Sequence, residues 1–422
     1  MKTKWITLTM SLFYLSLLSA QENPICIDIC QERARENYPL IRQHGLINLS
    51  QAYNLSTIST GYLPQVSLNG QATYQSDVVH LPISLPGINV PSMDKDQYKA
   101  TLDVTQTIWD GGNISSQRKI VQSNKDIDRQ TLEVQLYTIR ERINQLYFGI
   151  LMIREQLNQL YLLREDLQNG LKTVQAFSQN GTATQSDIDA VQVELLNVEQ
   201  RETELHSLNR AYIQMLSAMT NTELGEDTPL EKPSEDIVNL HASINRPELE
   251  LYEKQRSLFD AQESLITAKN MPRLSLFLQG GYGKPGLNML SDQFDLFGIA
   301  GVRLSWNFGN LYSTKNEKRL IETNKNMVNT LQETFLFNTN LQLKQLYNDI
   351  LKAKELITKD DEIIALRKRV KAASESKYEN GIYTINDLLK DINAENQSKQ
   401  AKVLHEMLYL MNIYSYKNIT GN

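Results

Sequence analysis

The chain has 422 residues, a formal net charge of −6, an apolar fraction of 41% and only 19 glycines and 11 prolines. The acidic balance argues against nucleic acid as a partner, and so few Gly and Pro point to long regular elements. Beyond the N-terminus no apolar run approaches the roughly 20 residues that a membrane-spanning helix needs, so any crossing must be made by β-strands.

Residues 1–20 read as a signal peptide: Lys2 and Lys4, an apolar stretch over 6–18, and Ser19-Ala20 as the cleavage site. Its loss makes the chain two charges more negative. Cys26 and Cys30, the only cysteines, stand four apart; a disulfide in an oxidising compartment and a pair of buried thiols on one helical face both fit. Asn23-Pro24-Ile25 before Cys26 is not a lipidation signal.

A helix is expected over about 28–61, then a β-hairpin over about 65–109. Val66, Leu68, Gly70, Ala72 and Tyr74 alternate with Ser67, Asn69, Gln71 and Thr73; Ala100, Leu102 and Val104 alternate with Thr101, Asp103, Thr105 and Thr107. Ten residues of period-two alternation, tilted, match a transmembrane barrel strand with lipid on one side and a polar lumen on the other. A half-buried soluble sheet would also alternate. The loop, about 77–96, carries Pro82, Pro86 and Pro91.

The longest helix, about 113–178, has an apolar seam at spacings of four and three: Leu132, Leu136, Ile139, Ile143, Leu146, Ile150, Ile153, Leu157 and Leu160, interrupted at Arg164, then Leu167, Leu171 and Val174. This is coiled-coil packing. At 1.5 Å per residue that helix is roughly 100 Å long, and the helices over 28–61 and about 182–220, roughly 50 and 60 Å, match it when stacked end to end.

The pattern then repeats. Asn37-Tyr38-Pro39-Leu40 recurs as Asn245-Arg246-Pro247-Glu248, and Leu63-Pro64-Gln65-Val66-Ser67-Leu68 as Met271-Pro272-Arg273-Leu274-Ser275-Leu276. Trp109-Asp110-Gly111-Gly112-Asn113 matches Trp306-Asn307-Phe308-Gly309-Asn310, and Asn180-Gly181-Thr182-Ala183-Thr184 matches Asn380-Gly381-Ile382-Tyr383-Thr384. The chain therefore divides into a first repeat, 21–220, with a helical tip at 177–188; a Pro- and acid-rich connecting segment, 221–243; and a second repeat, 244–422, with a hairpin at about 273–307 and a tip at 377–388. In the second hairpin Leu274, Leu276, Leu278 and Tyr282, then Ala300, Val302, Leu304 and Trp306, oppose Arg303, Ser305 and Asn307. Asp103 and Arg303 are thus the expected lumen-facing strand residues.

Four strands cannot close a barrel, for which about eight is the practical minimum, and open edges are excluded from lipid. Three copies give twelve strands with cyclic closure. Heptads alone also fit a periplasmic adaptor or a structural coiled-coil protein, the alternative reading. An enzyme has little support: His44, His80, His206, His241 and His405 are scattered, with neither a phosphate loop nor a nucleophile elbow, so no metal or cofactor is expected.

With the duplication, the strand–Trp-Asp-Gly-Gly–helix junction and the tips Asn-Gly-x-x-Thr-x-x-Asp-[Ile/Leu], the sequence resembles the TolC-like outer membrane efflux proteins over nearly the whole mature chain. The resemblance implies a mainly α protein with transmembrane β: a duplicated helix–β-hairpin–helix–helix unit, forming a trimeric 12-stranded β-barrel continued by a long periplasmic α-helical coiled-coil barrel. It implies the outer membrane of a Gram-negative bacterium, a periplasmic adaptor (membrane fusion protein), an inner-membrane pump of RND, ABC or MFS type, and passive export. The tips become the periplasmic entrance and adaptor-docking surface, carried by Asn180, Gly181, Thr184, Ser186, Asn380, Gly381, Thr384 and Asn386. The glycines supply the turn; Thr184 or Ser186, and Thr384 or Asn386, can cap the following helix. Asp187 and Asp387 suit a helix start, and three copies of Asp387 would ring the entrance. Asp187 and Tyr378 fall on positions of the family's closing network. Tyr383 stands where well-known members have arginine. Lys390 stands where a second inward aspartate is expected, with Asp391 one residue later, so one acidic ring is expected to be missing or partly neutralised.

Overall fold

The computed structural model describes residues 24–79, 93–234 and 243–421. The expected signal peptide, the loop residues Pro82, Pro86 and Pro91, His80, His241 and 235–242 of the connecting segment lie outside them. In chain order the elements are α1 (Ile27–Asn37), α2 (Gln43–Ser59), β1 (Gln65–Tyr74), β2 (Asp96–Trp109), α3 (Asn113–Gln179), α4 (Gln185–Thr220), α5 (Pro247–Lys269), β3 (Arg273–Lys284), β4 (Asp295–Ser305), α6 (Asn310–Glu379) and α7 (Ile385–Thr420). No described helix is long and apolar enough to cross a membrane.

The first expected helix, 28–61, is two. Tyr38 is extended (φ −64°, ψ 131°) because Pro39 disfavours helical backbone in the residue before it. A 3₁₀ turn over Pro39–Arg42 then leads into α2.

Two compact units form. The first holds the described residues up to Ile41, with Glu133–Pro247 and Phe335–Asn422. Its core includes the α3 seam: Leu136, Ile143, Ile150, Ile153, Leu167 and Val174 are each at most 1% exposed. Arg164, the interruption, turns to an ion pair with Glu202 at 2.8 Å. Cys26 and Cys30 are free; burial pushes the Cys30 thiol up to about 11. Residues 221–234 pack on α3: Arg154 donates to the carbonyls of Thr228 and Glu226, both at 2.8 Å.

The second unit, Arg42–Leu132 with Glu248–Thr334, holds one antiparallel four-stranded sheet in the order β1-β2-β3-β4. Its register aligns the alternation across strands: Val66 pairs with Val104, Leu68 with Leu102, Leu276 with Val302 and Leu278 with Ala300, while Ser67 pairs with Asp103 and Ser275 with Arg303. One face is therefore apolar and open, with Leu68 78%, Leu296 83% and Leu304 68% exposed. The other face is less uniformly polar than the expected pattern. Phe277 lies opposite Gly301 and Phe297 opposite Gly281, each ring filling space that a glycine leaves open.

The strand-to-helix junction explains Trp-Asp-Gly-Gly. Asp110 is buried, and its carboxylate accepts from the backbone N–H groups of Gly112 (2.9 Å) and Ile114 (2.5 Å), capping α3. Gly111 and Gly112 have φ of 72° and 88°. In the second half Asn307 accepts from the Gly309 N–H at 2.9 Å.

Candidate functional site

The helical tips of the first unit are built alike. Gly181 and Gly381 both have φ 72°, a left-handed conformation that costs a glycine little. Before each, the asparagine amide donates back to the helix: Asn180 to Ala176 O at 3.0 Å and Asn380 to Ser376 O at 2.7 Å. After each, a threonine starts the next helix. The Asp187 carboxylate accepts from the Thr184 N–H and hydroxyl, both at 2.8 Å, and the Thr184 hydroxyl accepts from the Asp187 N–H at 3.3 Å. The Thr384–Asp387 pair repeats this at 3.1, 2.7 and 3.3 Å. Thr184 and Thr384 are therefore the caps. Ser186 and Asn386 fall inside the first turn and are exposed, because the helices begin one residue after the threonines.

Asp387 is held below the usual carboxylate range by the hydrogen bonds from Thr384 and by the Lys390 charge. Asp391 turns to α6 and accepts from the Ser374 hydroxyl at 2.5 Å. Tyr378 is 8% exposed and packs on Phe177, ring centroids 5.6 Å apart; burial and the Asp187 charge push its hydroxyl up. Tyr383 seats Lys377, whose ammonium lies 4.5 Å from the ring centroid and 3.2 Å from the hydroxyl oxygen. The tip thus carries a cation on the Tyr383 ring, supplied by residue 377.

Behind the tips is a charged cluster that the sequence pattern did not announce. Lys371 lies 2.5 Å from Asp166, 3.4 Å from Glu395 and 3.8 Å from Glu375, and Lys399 lies 2.8 Å from Glu395. It joins α6 and α7 to α3. Glu395 is 4% exposed. Burial alone would raise its carboxyl, but Lys399 and Lys371 outweigh it and hold the group below the usual range. Burial likewise opposes the Lys371 charge, and Asp166, Glu395 and Glu375 overcome it and raise the ammonium. The available signal was spacing: Glu395 continues the buried row Leu388, Ile392 at a position where an apolar residue is expected.

On the sheet, Asp103 and Arg303 share the polar face without touching. Asp103 accepts from Asn69 (2.7 Å), Thr101 (2.9 Å) and Gln279 (2.5 Å), and Arg303 stands 4.8 Å from the centroid of Phe277. Among the described residues no group of His, Cys, Asp and Glu could hold a metal ion; His405 pairs with Asp360 at 2.6 Å.

Residues 32–221 match the family described as outer membrane efflux protein. The fold is that of solved outer membrane channels. The outer-membrane channel OprN aligns with a TM-score of 0.67 at 13% identity, over 94% of this chain and 89% of that one. The CmeC outer membrane channel of Campylobacter jejuni gives 0.63 at 13%, over 94% and 85%. The outer membrane protein VceC of Vibrio cholerae gives 0.63 at 13%, over 93% and 96%. A comparison with curated proteins finds no match.

Proposed function

From a chain that carries the outer membrane efflux protein family's sequence over residues 32–221 and the fold of solved channels over 94% of its length, we propose an outer membrane exit duct. Three copies form a closed 12-stranded barrel with a periplasmic helical barrel below it. The duct passively conducts solutes handed over by an inner-membrane pump and a periplasmic adaptor, which meets the tips at 177–188 and 377–388.

The observation that carries this reading is the sheet. It has two unpaired edges, β1 and β4, and an apolar face left exposed. In water such a surface invites aggregation; in lipid the apolar face is solvated, and only closure with other copies satisfies the edges. The helix α6 supports it too: Leu320, Met327, Phe337, Leu341, Leu351 and Leu366 are exposed in the single chain, a row that neighbouring copies would cover. The duplicated tips supply six near-equivalent entrance hairpins per trimer. Asp387 forms the one acidic ring, with Lys390 beside it in place of a second.

Reconstitution of the purified protein in planar bilayers tests this. We expect stable ion-conducting pores, with weaker block by a trivalent cation from the entrance side than in members carrying two aspartate rings, and a further reduction in D387N. Absence of conductance would contradict the duct. Strong block removed only by D391N would contradict a single ring.

A further inference from the structure

We propose that the polar face of the sheet is an anion-attracting wall, in which Lys99 and Arg303 make the barrel favour anionic solutes over cations; this rests on the duct reading, which turns that face to the lumen. The register places Lys99, Asp103, Arg273, Arg303 and Asp295 on the face. Three cations therefore stand against two carboxylates on this face. Asp103 is filled by three neutral donors, Asn69, Thr101 and Gln279. Asp295 stands at the first residue of β4, at the end of the sheet beside the loop. The cations are not ion-paired: among the described residues none of Lys99, Arg273 and Arg303 has a carboxylate oxygen within 4.0 Å.

Two of them are seated by the aromatic rings. Arg303 stands 4.8 Å from the Phe277 centroid and Lys99 stands 4.9 Å from that of Phe297. Both seats require glycine. A Cβ at Gly281 would fall 2.2 Å from Phe297, and one at Gly301 would fall 2.9 Å from Phe277. Phe297 on β4 thus lies across the glycines of β3, where Gly281 is its partner and Gly283 that of Lys99, to reach the lysine on β2. A ring face attracts a cation without neutralising it. The sequence therefore uses two Phe–Gly pairs to hold positive charge on a wall, where a carboxylate would have cancelled it. In a trimer Lys99 and Arg303 supply six such charges, and rings of basic side chains favour anions.

The test is the zero-current potential of the full-length protein in planar bilayers under a KCl gradient, with the dilute side at ~0.01 M, where screening extends to roughly 30 Å. Wild type should prefer chloride. K99Q/R303Q should lower the chloride-to-potassium permeability ratio at least two-fold, K99R/R303K should retain it, and D103N should raise it. A double variant that conducts with an unchanged ratio overturns the proposal. Should that variant fail to assemble, an unchanged ratio in D103N overturns it equally. Wild type without current refutes the duct itself, and this inference with it.

Discussion

Gly111→Ala will destabilise the protein by about 2–4 kcal/mol and strongly deplete its assembled form, more than any other single methyl added in this turn. Gly111 sits at φ 72°, where a side chain costs about 1–2 kcal/mol. Its added Cβ would also fall 2.5 Å from the Cβ of Met271 and 3.0 Å from the carbonyl oxygen of Ala268. Those atoms belong to the last turn of α5 and to the link that leads from it to β3, and cannot swing away as a side-chain terminus could. Gly112 provides the control. It is also left-handed, at φ 88°, but a Cβ added there would meet nothing within 4 Å, so Gly112→Ala should cost only about 1–2 kcal/mol. Thermal unfolding of both variants, with the yield of membrane-assembled protein, checks this. Equal losses would show that close approach to Met271 contributes nothing.

The second large effect lies behind the tips. Lys371→Met will lower stability by about 1–3 kcal/mol: removing one partner of a buried pair costs roughly 3–5 kcal/mol, reduced here because Asp166 is partly exposed and Lys399 still pairs with Glu395. The signs follow from the shifts. Glu395 is depressed in the folded state, so its contribution is present above its ordinary value of 4.5 and is lost as pH falls through the lower folded value. Lys371 is raised, so its contribution is present below 10.5 and is lost as pH rises through the higher folded value. Wild type should therefore melt earlier as pH drops below about 4.5, and E395Q should flatten that acid limb. Replacing both residues, K371M/E395L, should recover most of the loss, since apolar substitutes for a buried pair are often neutral. Melting at pH 7 and in acid decides it; a K371M variant with unchanged melting and an unchanged acid limb would show that the cluster contributes nothing to stability.

Strand alternation and the α3 seam were legible because each is a local period, and the face of a residue follows from counting. The junction was legible as a motif, though the two backbone hydrogen bonds to Asp110 explain it only once the turn is built. Three features escaped for physical reasons. The break at Tyr38 is announced by Pro39, but apolar residues on both sides mimic one helix. Phe277 and Phe297 look misplaced on a polar face until the register sets each against a glycine on the neighbouring strand. Lys371, Asp166 and Glu395 lie far apart in sequence and meet only through the packing of three helices. At the tips the motif left Thr184 and Thr384 or their neighbours as caps, and the choice depended on where each helix starts, a matter of one residue.

In the closed barrel proposed above, β1 of one chain would pair with β4 of the next, and every other feature of the proposed duct depends on that pairing. Within one chain these strands are separated by two others, about 14 Å at roughly 4.8 Å per strand, too far for a disulfide. With Cys26 and Cys30 replaced by alanine, a cysteine at Leu68 can be combined in turn with one at Ala300, Val302 or Leu304, and the membrane fraction oxidised. At the matching register we predict a denaturant-resistant ladder of one, two and three chains that stops at three. No linked chains at any register, or a ladder that ends at two or runs past three, would contradict a closed trimeric barrel.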